Sequence, residues 1–261
     1  MSNVAQLAPQ SGASRSQVSA EEWQARVDLA ACYRLIAHFG MTDIVDTHIS
    51  ARVPGPDHHF LINPYGWLFH EITASSLVKI DLDGNKVDGD DEEINYAGYV
   101  IHSAIHAERE DAGCVLHTHT TAGMAVSAQA EGLLPLTQHA LRFYGTLAYH
   151  DYEGIALDTD ERRRLVADLG MSRAMILRNH GLLTVGRNAP EAFHLMFMLE
   201  KSCQSQIQAM SGGAKLVFPN ENVRRHTAGQ YADATKDRPA GSRSWPGLLR
   251  LLDKLDDSYK H

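Results

Sequence analysis

Apolar and polar residues recur along this chain in two periods, and the switches between them mark out its elements. Residues 1–18 are polar, rich in Ser, Gln and Ala, and are expected to be disordered. Ser19-Ala20-Glu21-Glu22 then reads as a capping box. Leu29, Cys32, Ile36 and Phe39 follow at helical spacing, with Gly40 suited to the residue just past the helix end. From Ile44 to Ile80 the period shortens. His48–Val53 alternates, Phe60–Ile62 is a short buried strand, and Leu77–Leu82 is another, turning at Asp83-Gly84-Asn85. The acidic run 88–93 is expected to be a solvated loop.

A helix is predicted over Ile94–Glu108, with Ile94, Ile101 and Ile105 on its apolar face. Strands follow at Ala112–Thr118, Thr146–His150, Ala174–Leu177 and Leu182–Val185, with a helix at about Asp160–Leu169. Asn188-Ala189-Pro190-Glu191 caps a long helix carrying Met196, Leu199, Cys203, Ile207 and Met210, which ends at Gly212-Gly213. Beyond it Pro, Gly and charged residues interrupt the pattern, save for a short helix near Leu248–Leu255. Helices packed on a central sheet in one α/β domain fit this order.

Composition narrows the function. The formal charge of −8 disfavours nucleic acid, whose phosphates need a basic face. No apolar run is long enough to span a bilayer, and no secretory signal is visible. Cys32, Cys114 and Cys203 are widely spaced on apolar stripes, which suits a reducing cytoplasm and core positions rather than nucleophiles. GxSxG, P-loop and GxGxxG motifs are absent. What stands out is histidine, 15 of 261 residues.

In Cys114-Val115-Leu116-His117-Thr118-His119 a strand would direct both imidazoles to one face, at a separation that one metal ion can bridge. Asn179-His180-Gly181, between two apolar strands, offers a third ligand. Three histidines with an open position make a catalytic zinc site; hydrogen-bonded core histidines and a turn residue are the alternative. His102 and His106 lie one turn apart on a helix but lack an HExxH glutamate, and are read as a polar flank. His58-His59 is expected in a solvated loop. His38, His70, His150, His194, His226 and His261 are expected at the surface or core edge.

His117-Thr-His119, followed by Arg178-Asn-His180-Gly, resembles the class II aldolase/adducin superfamily, nearest the adducin head domain and its bacterial relatives. Ile62-Asn-Pro-Tyr-Gly66, Ile72-Thr-Ala-Ser-Ser-Leu-Val-Lys79 and Ala148-Tyr-His-Asp-Tyr-Glu-Gly154 extend the likeness over about residues 22–211. It implies a three-layer α/β/α sandwich with a mostly antiparallel sheet at 19–213. Residues 214–261 then form an extension packed on the domain or on a neighbouring subunit. It implies a homotetramer or dimer with sites between subunits. It also implies a divalent metal on His117, His119 and His180, most often Zn2+, with Fe2+, Mn2+ or Co2+ as alternatives. In the family's aldolases and epimerases that metal stabilises an enediolate.

The departures are equally specific. The aldolase acid/base glutamate falls on Gly98, nineteen residues before His117. Tyr96-Ala97 replaces two phosphate-binding serines, and Thr47-His48 replaces a Gly-Asn phosphate loop. His139 aligns near a catalytic tyrosine. These features point to a metal-dependent lyase-type enzyme acting on a small, unphosphorylated carbonyl or hydroxy-acid substrate. His139, His48 or Tyr231 would move protons, and His48, Gly98 and Gln138 are its candidate substrate contacts. A non-catalytic adducin-like module of the actin-binding kind and a non-haem iron oxygenase are the alternatives.

Overall fold

The computed structural model describes residues 14–87, 92–154 and 159–261. The first thirteen residues of the expected tail, and residues 88–91 of the expected acidic loop, lie outside them. Residues 14–18 form a turn ahead of helix α1 (Ala20–His38), whose N-cap Ser19 accepts from the Glu22 amide at 3.1 Å. Gly40 takes φ +67°, as a left-handed terminus requires. In chain order there follow β1 (His48–Arg52), β2 (Phe60–Ile62), β3 (Val78–Ile80), α2 (Tyr96–Glu108), β4 (Cys114–Thr118), α3 (Thr121–Ser127) and α4 (Gln138–Leu141). Then come β5 (Leu147–His150), α5 (Thr159–Leu169), β6 (Ala174–Leu177), β7 (Gly181–Gly186), α6 (Ala189–Met210), α7 (Glu221–Ala234), α8 (Trp245–Leu255) and a 3-10 turn at Asp257–Lys260.

Seven strands form one sheet in the order β3-β2-β1-β4-β7-β6-β5. Every pair is antiparallel except β5 with β6. Successive strand residues face opposite sides, so each buried strand feeds two cores. Cys114, Leu116, Ile176 and Leu182 pack with Leu29, Ile36, Phe193, Met196 and Leu199 of α1 and α6. On the other side Val115, Met175, Leu183 and Val185 pack with Ile101, Ile105, Leu165 and Leu169 of α2 and α5. The expected helix–sheet–helix layering is therefore present. Cys32, Cys114 and Cys203 are all buried free thiols.

The sequence pattern misses α3, α4 and α7. Helix α7 buries none of its residues, so it carries no apolar stripe to read. The last residues turn back onto α1. Trp245 is buried and donates to Asp28 Oδ1 at 2.9 Å, and Tyr259 is buried. Arg34 bridges Asp256 and Ser258. No helix of the described residues is long and apolar enough to cross a membrane.

One charged cluster ties α1 to the segment before β3. Arg26 is fully buried; its Nε donates to Glu22 Oε1 at 3.0 Å and its Nη1 to the Leu77 carbonyl at 2.7 Å. Lys79 reaches the same carboxylate at 3.0 Å. Removing one partner of a buried pair leaves the rest under-satisfied. Arg26→Met is expected to cost about 3 kcal/mol, measured as the change in urea-unfolding free energy. A loss indistinguishable from that of a surface substitution would contradict the cluster's structural role.

Candidate metal centre

Strand β4 lies between β1 and β7 and is buried along its whole length. Its face pairing places His117 opposite His48 on β1 and opposite Leu183 on β7, and Thr118 opposite Leu182. His119 stands one residue past the strand end. His180 sits in the turn from β6 to β7, where Leu177 pairs with Gly181. Asn179 holds that turn at φ +55°, a left-handed conformation that Asn tolerates better than most residues. A Cβ on Gly181 would fall 2.4 Å from the Thr118 carbonyl oxygen and 3.1 Å from the His119 ring. Only glycine lets the turn lie against β4 this closely.

These elements bring the three imidazoles together, with their ligand atoms all within 4.8 Å of one another. His117 Nε2 lies 2.8 Å from His119 Nε2, which lies 2.9 Å from His180 Nε2. The outer nitrogens decide what this cluster can hold. His117 Nδ1 is 2.9 Å from the Leu182 carbonyl oxygen, which can only accept, so Nδ1 carries the proton. His119 Nδ1 is 3.0 Å from an Asp43 carboxylate oxygen and donates in the same way. In the neutral rings both Nε2 atoms are then lone pairs, aimed at one point. Lone pairs at such separations repel unless a cation lies between them. The donor set therefore fits a divalent metal, with Leu182 and Asp43 supplying the orienting contacts that ligating histidines use.

Electrostatics favours the neutral forms of His117 and His180. Burial, reinforced by the neighbouring imidazoles, holds His117 well below the usual imidazole range. The same causes, with burial the larger, lower His180 to about 4. Neutral imidazole is the form that binds metal.

Two other expected substrate contacts adjoin the triad. His48 is buried and its ring centroid is 5.4 Å from that of His117. Gly98 lies beneath it, where a Cβ would fall 2.3 Å from His48 Cδ2. The imidazole of His48 thus fills the space that a side chain at position 98 would need.

Gln138, His139 and Tyr231 lie elsewhere. Gln138 Nε2 donates to Tyr231 Oη at 3.2 Å, and Arg142 stacks on the Tyr231 ring at 4.0 Å. His139 follows Gln138 in the first turn of α4. Among the described residues none of the three contacts the triad within one chain.

Two expectations for other histidines are corrected. His102 and His106, read as a polar flank, are fully buried, because α2 turns them onto the polar face of β1, where Ser50 bonds both at 2.7 Å. His150, expected at the surface or core edge, is buried and bonds Asp168 at 2.7 Å. Asp43 is a further functional candidate that sequence reasoning missed. It lies in a loop with no spacing signal.

The Class II Aldolase and Adducin N-terminal domain family matches residues 27–207. The chain is 54% identical, over 94% of its length and 95% of the relative's, to a Caulobacter vibrioides protein named for class 2 aldolases. It is 41% identical to rat alpha-adducin over 88% of its own length, but spans only 33% of that longer protein. A solved aldolase II superfamily protein from Pseudomonas syringae superposes with a TM-score of 0.89 at 54% identity, covering 96% of this chain and 100% of the other.

Two predictions follow from this packing. Gly98→Ala is expected to cost about 1–3 kcal/mol by overpacking, and the penalty should fall towards zero in a His48→Ala background. Equal penalties in both backgrounds, by urea unfolding, would separate the two positions. The second concerns pH. Burial lowers His48 and His106 to about 3 in the folded state, whereas imidazole in the unfolded chain protonates near about 6.5. Between those values the unfolded chain binds more protons, so stability falls on acidification. The expected slope in metal-free protein is about 1.4 kcal/mol per pH unit for each histidine. Urea unfolding between about pH 6 and pH 5 checks it; a flat profile would show that these rings are not buried neutral.

Proposed function

Because the chain belongs to the class II aldolase and adducin family, we propose that it is a metal-dependent, lyase-type enzyme. Its substrate on this reading is a small, unphosphorylated carbonyl or hydroxy-acid compound. The observation that carries the reading is the tautomer pattern of the triad. Two rings have their Nδ1 protons committed to Leu182 and Asp43, which leaves Nε2 lone pairs converging with His180 on a single point. A scaffold has no use for such a point. A divalent ion held there, zinc being the best match to three imidazoles, would supply Lewis-acid polarisation of a substrate oxygen.

The chain's own residues set the rest. His117, His119 and His180 hold the ion, and Asp43 and the Leu182 carbonyl orient the first two. The substrate would bind over Gly98 and against His48. The missing phosphate groups support an unphosphorylated substrate: Tyr96 is largely exposed, and the Thr47 hydroxyl is buried without a hydrogen-bond partner. Gln138, His139 and Tyr231 form a polar cluster outside the triad. In a homo-oligomer with sites between subunits they would serve a neighbouring triad, His139 and Tyr231 moving protons there.

Protein purified without chelator is expected to hold about one divalent ion per chain. His117→Ala, His119→Ala and His180→Ala should each abolish stoichiometric binding. Asp43→Asn should weaken it by about 10–100-fold, the usual cost of losing an orienting partner. Elemental analysis and zinc titration calorimetry measure both. Metal-free protein that takes up no zinc, together with an unaltered His117→Ala variant, would sink the reading.

A further inference from the structure

A buried line of hydrogen bonds runs from the far side of α2 to the triad, and its direction is fixed from one end. His106 Nδ1 lies 3.0 Å from the Ala112 carbonyl oxygen. That oxygen can only accept, so Nδ1 carries the proton and, in the neutral ring, His106 Nε2 is a lone pair. Ser50 Oγ lies 2.7 Å from this Nε2 and must donate to it. The hydroxyl has one proton, so towards His102 Nδ1, also at 2.7 Å, it accepts. His102 therefore carries its proton on Nδ1 and has a lone pair on Nε2. His48 Nδ1 lies 2.9 Å from that lone pair and donates to it. Each link admits one orientation once the previous link is set. His48, Ser50, His102 and His106 are all at most 3% exposed, so water does not compete for these bonds. His48 Nε2 has no hydrogen-bond partner among the described residues, and a Cβ on Gly98 would lie 2.6 Å from it.

We infer that the chain Ala112–His106–Ser50–His102 locks His48 in its Nδ1–H tautomer. Nε2 is thereby presented beside the triad as the acceptor for a substrate hydroxyl. His102, Ser50 and His106 are positioning residues, and of these four side chains only His48 touches substrate. The role offered to substrate rests on the metal-enzyme reading above; the tautomer does not. The specificity that results is for a ligand with a hydroxyl donor next to its metal-binding oxygen, since a free Nε2 lone pair rewards a donor and repels an acceptor. Such a ligand is an α-hydroxy carbonyl or hydroxy acid rather than a simple ketone. Burial also disfavours a charge on His102 and His106, whose neutral forms the chain requires.

Long-range 1H–15N NMR of the full chain, labelled at histidine and recorded near neutral pH, reads the tautomers directly. His48, His102 and His106 are each expected as a single Nδ1–H form, with and without zinc. In Ser50→Ala, His102 loses its acceptor, and a second, Nε2–H form of His48 should appear. Ser50→Thr, which keeps the hydroxyl, should restore the single form. An Nε2–H form of His48 in the parent protein overturns the inference. So does an unchanged single form in folded Ser50→Ala. If that variant does not fold, the parent tautomers decide alone. Zinc that fails to bind while the Nδ1–H chain is intact would count against the metal enzyme and not against the chain. Zinc bound beside an Nε2–H His48 would do the reverse.

Discussion

The antiparallel pairing of β4 with both its neighbours is the constraint on which the site depends. One register sets His117 beside His48 on one edge; on the other it sets Thr118 against Leu182, whose carbonyl accepts the hydrogen bond from His117 Nδ1–H. A slip of one residue would turn His117 and Val115 to the opposite face and bring Leu116 round in their place. The hydrophobic cores forbid that slip, because Val115 and Leu116 are each buried against different helices. The apolar packing on the two faces is thus what holds the histidine geometry.

A neutral imidazole offers one donor and one acceptor, and this fold exploits that arithmetic twice. At the triad the outer nitrogens are tied to acceptors so that the inner ones converge as lone pairs. Along β1 and α2 the same rule passes orientation from ring to ring through a serine hydroxyl. In both places a backbone carbonyl, Leu182 or Ala112, fixes the first proton. A carbonyl in a strand or turn cannot change its chemistry by mutation of its own side chain, which makes it a durable reference.

The strands and longer helices were legible in the sequence because their periods are long enough to read. The sheet order was not legible from spacing, and the family likeness implied only that the sheet is mostly antiparallel. His117 and His119 were visible because a strand repeats every second residue, and His180 because Asn-His-Gly interrupts two apolar runs. His102 and His106 were misread for a physical reason: their spacing of four describes a face of a helix but not what that face meets. Only the tertiary fold shows it meeting Ser50 and the Ala112 carbonyl rather than water. Asp43 was invisible because a loop carboxylate carries no period. The packing of Gly98 against His48 joins residues fifty apart, and no local pattern contains it. Helix α7 was missed because it packs none of its side chains into the core.

His119 and His180 are 61 residues apart, on segments that meet only when β4, β7 and β6 are paired. A partly folded chain can offer an ion one or two neighbouring imidazoles, but not three convergent ones. On the metal-enzyme reading, ion capture would therefore be a late event in the life of each molecule, conditional on a finished sheet. In a cell where such ions are scarce, unfinished or damaged copies would not compete for them, and the pool of cation would partition to the molecules able to use it.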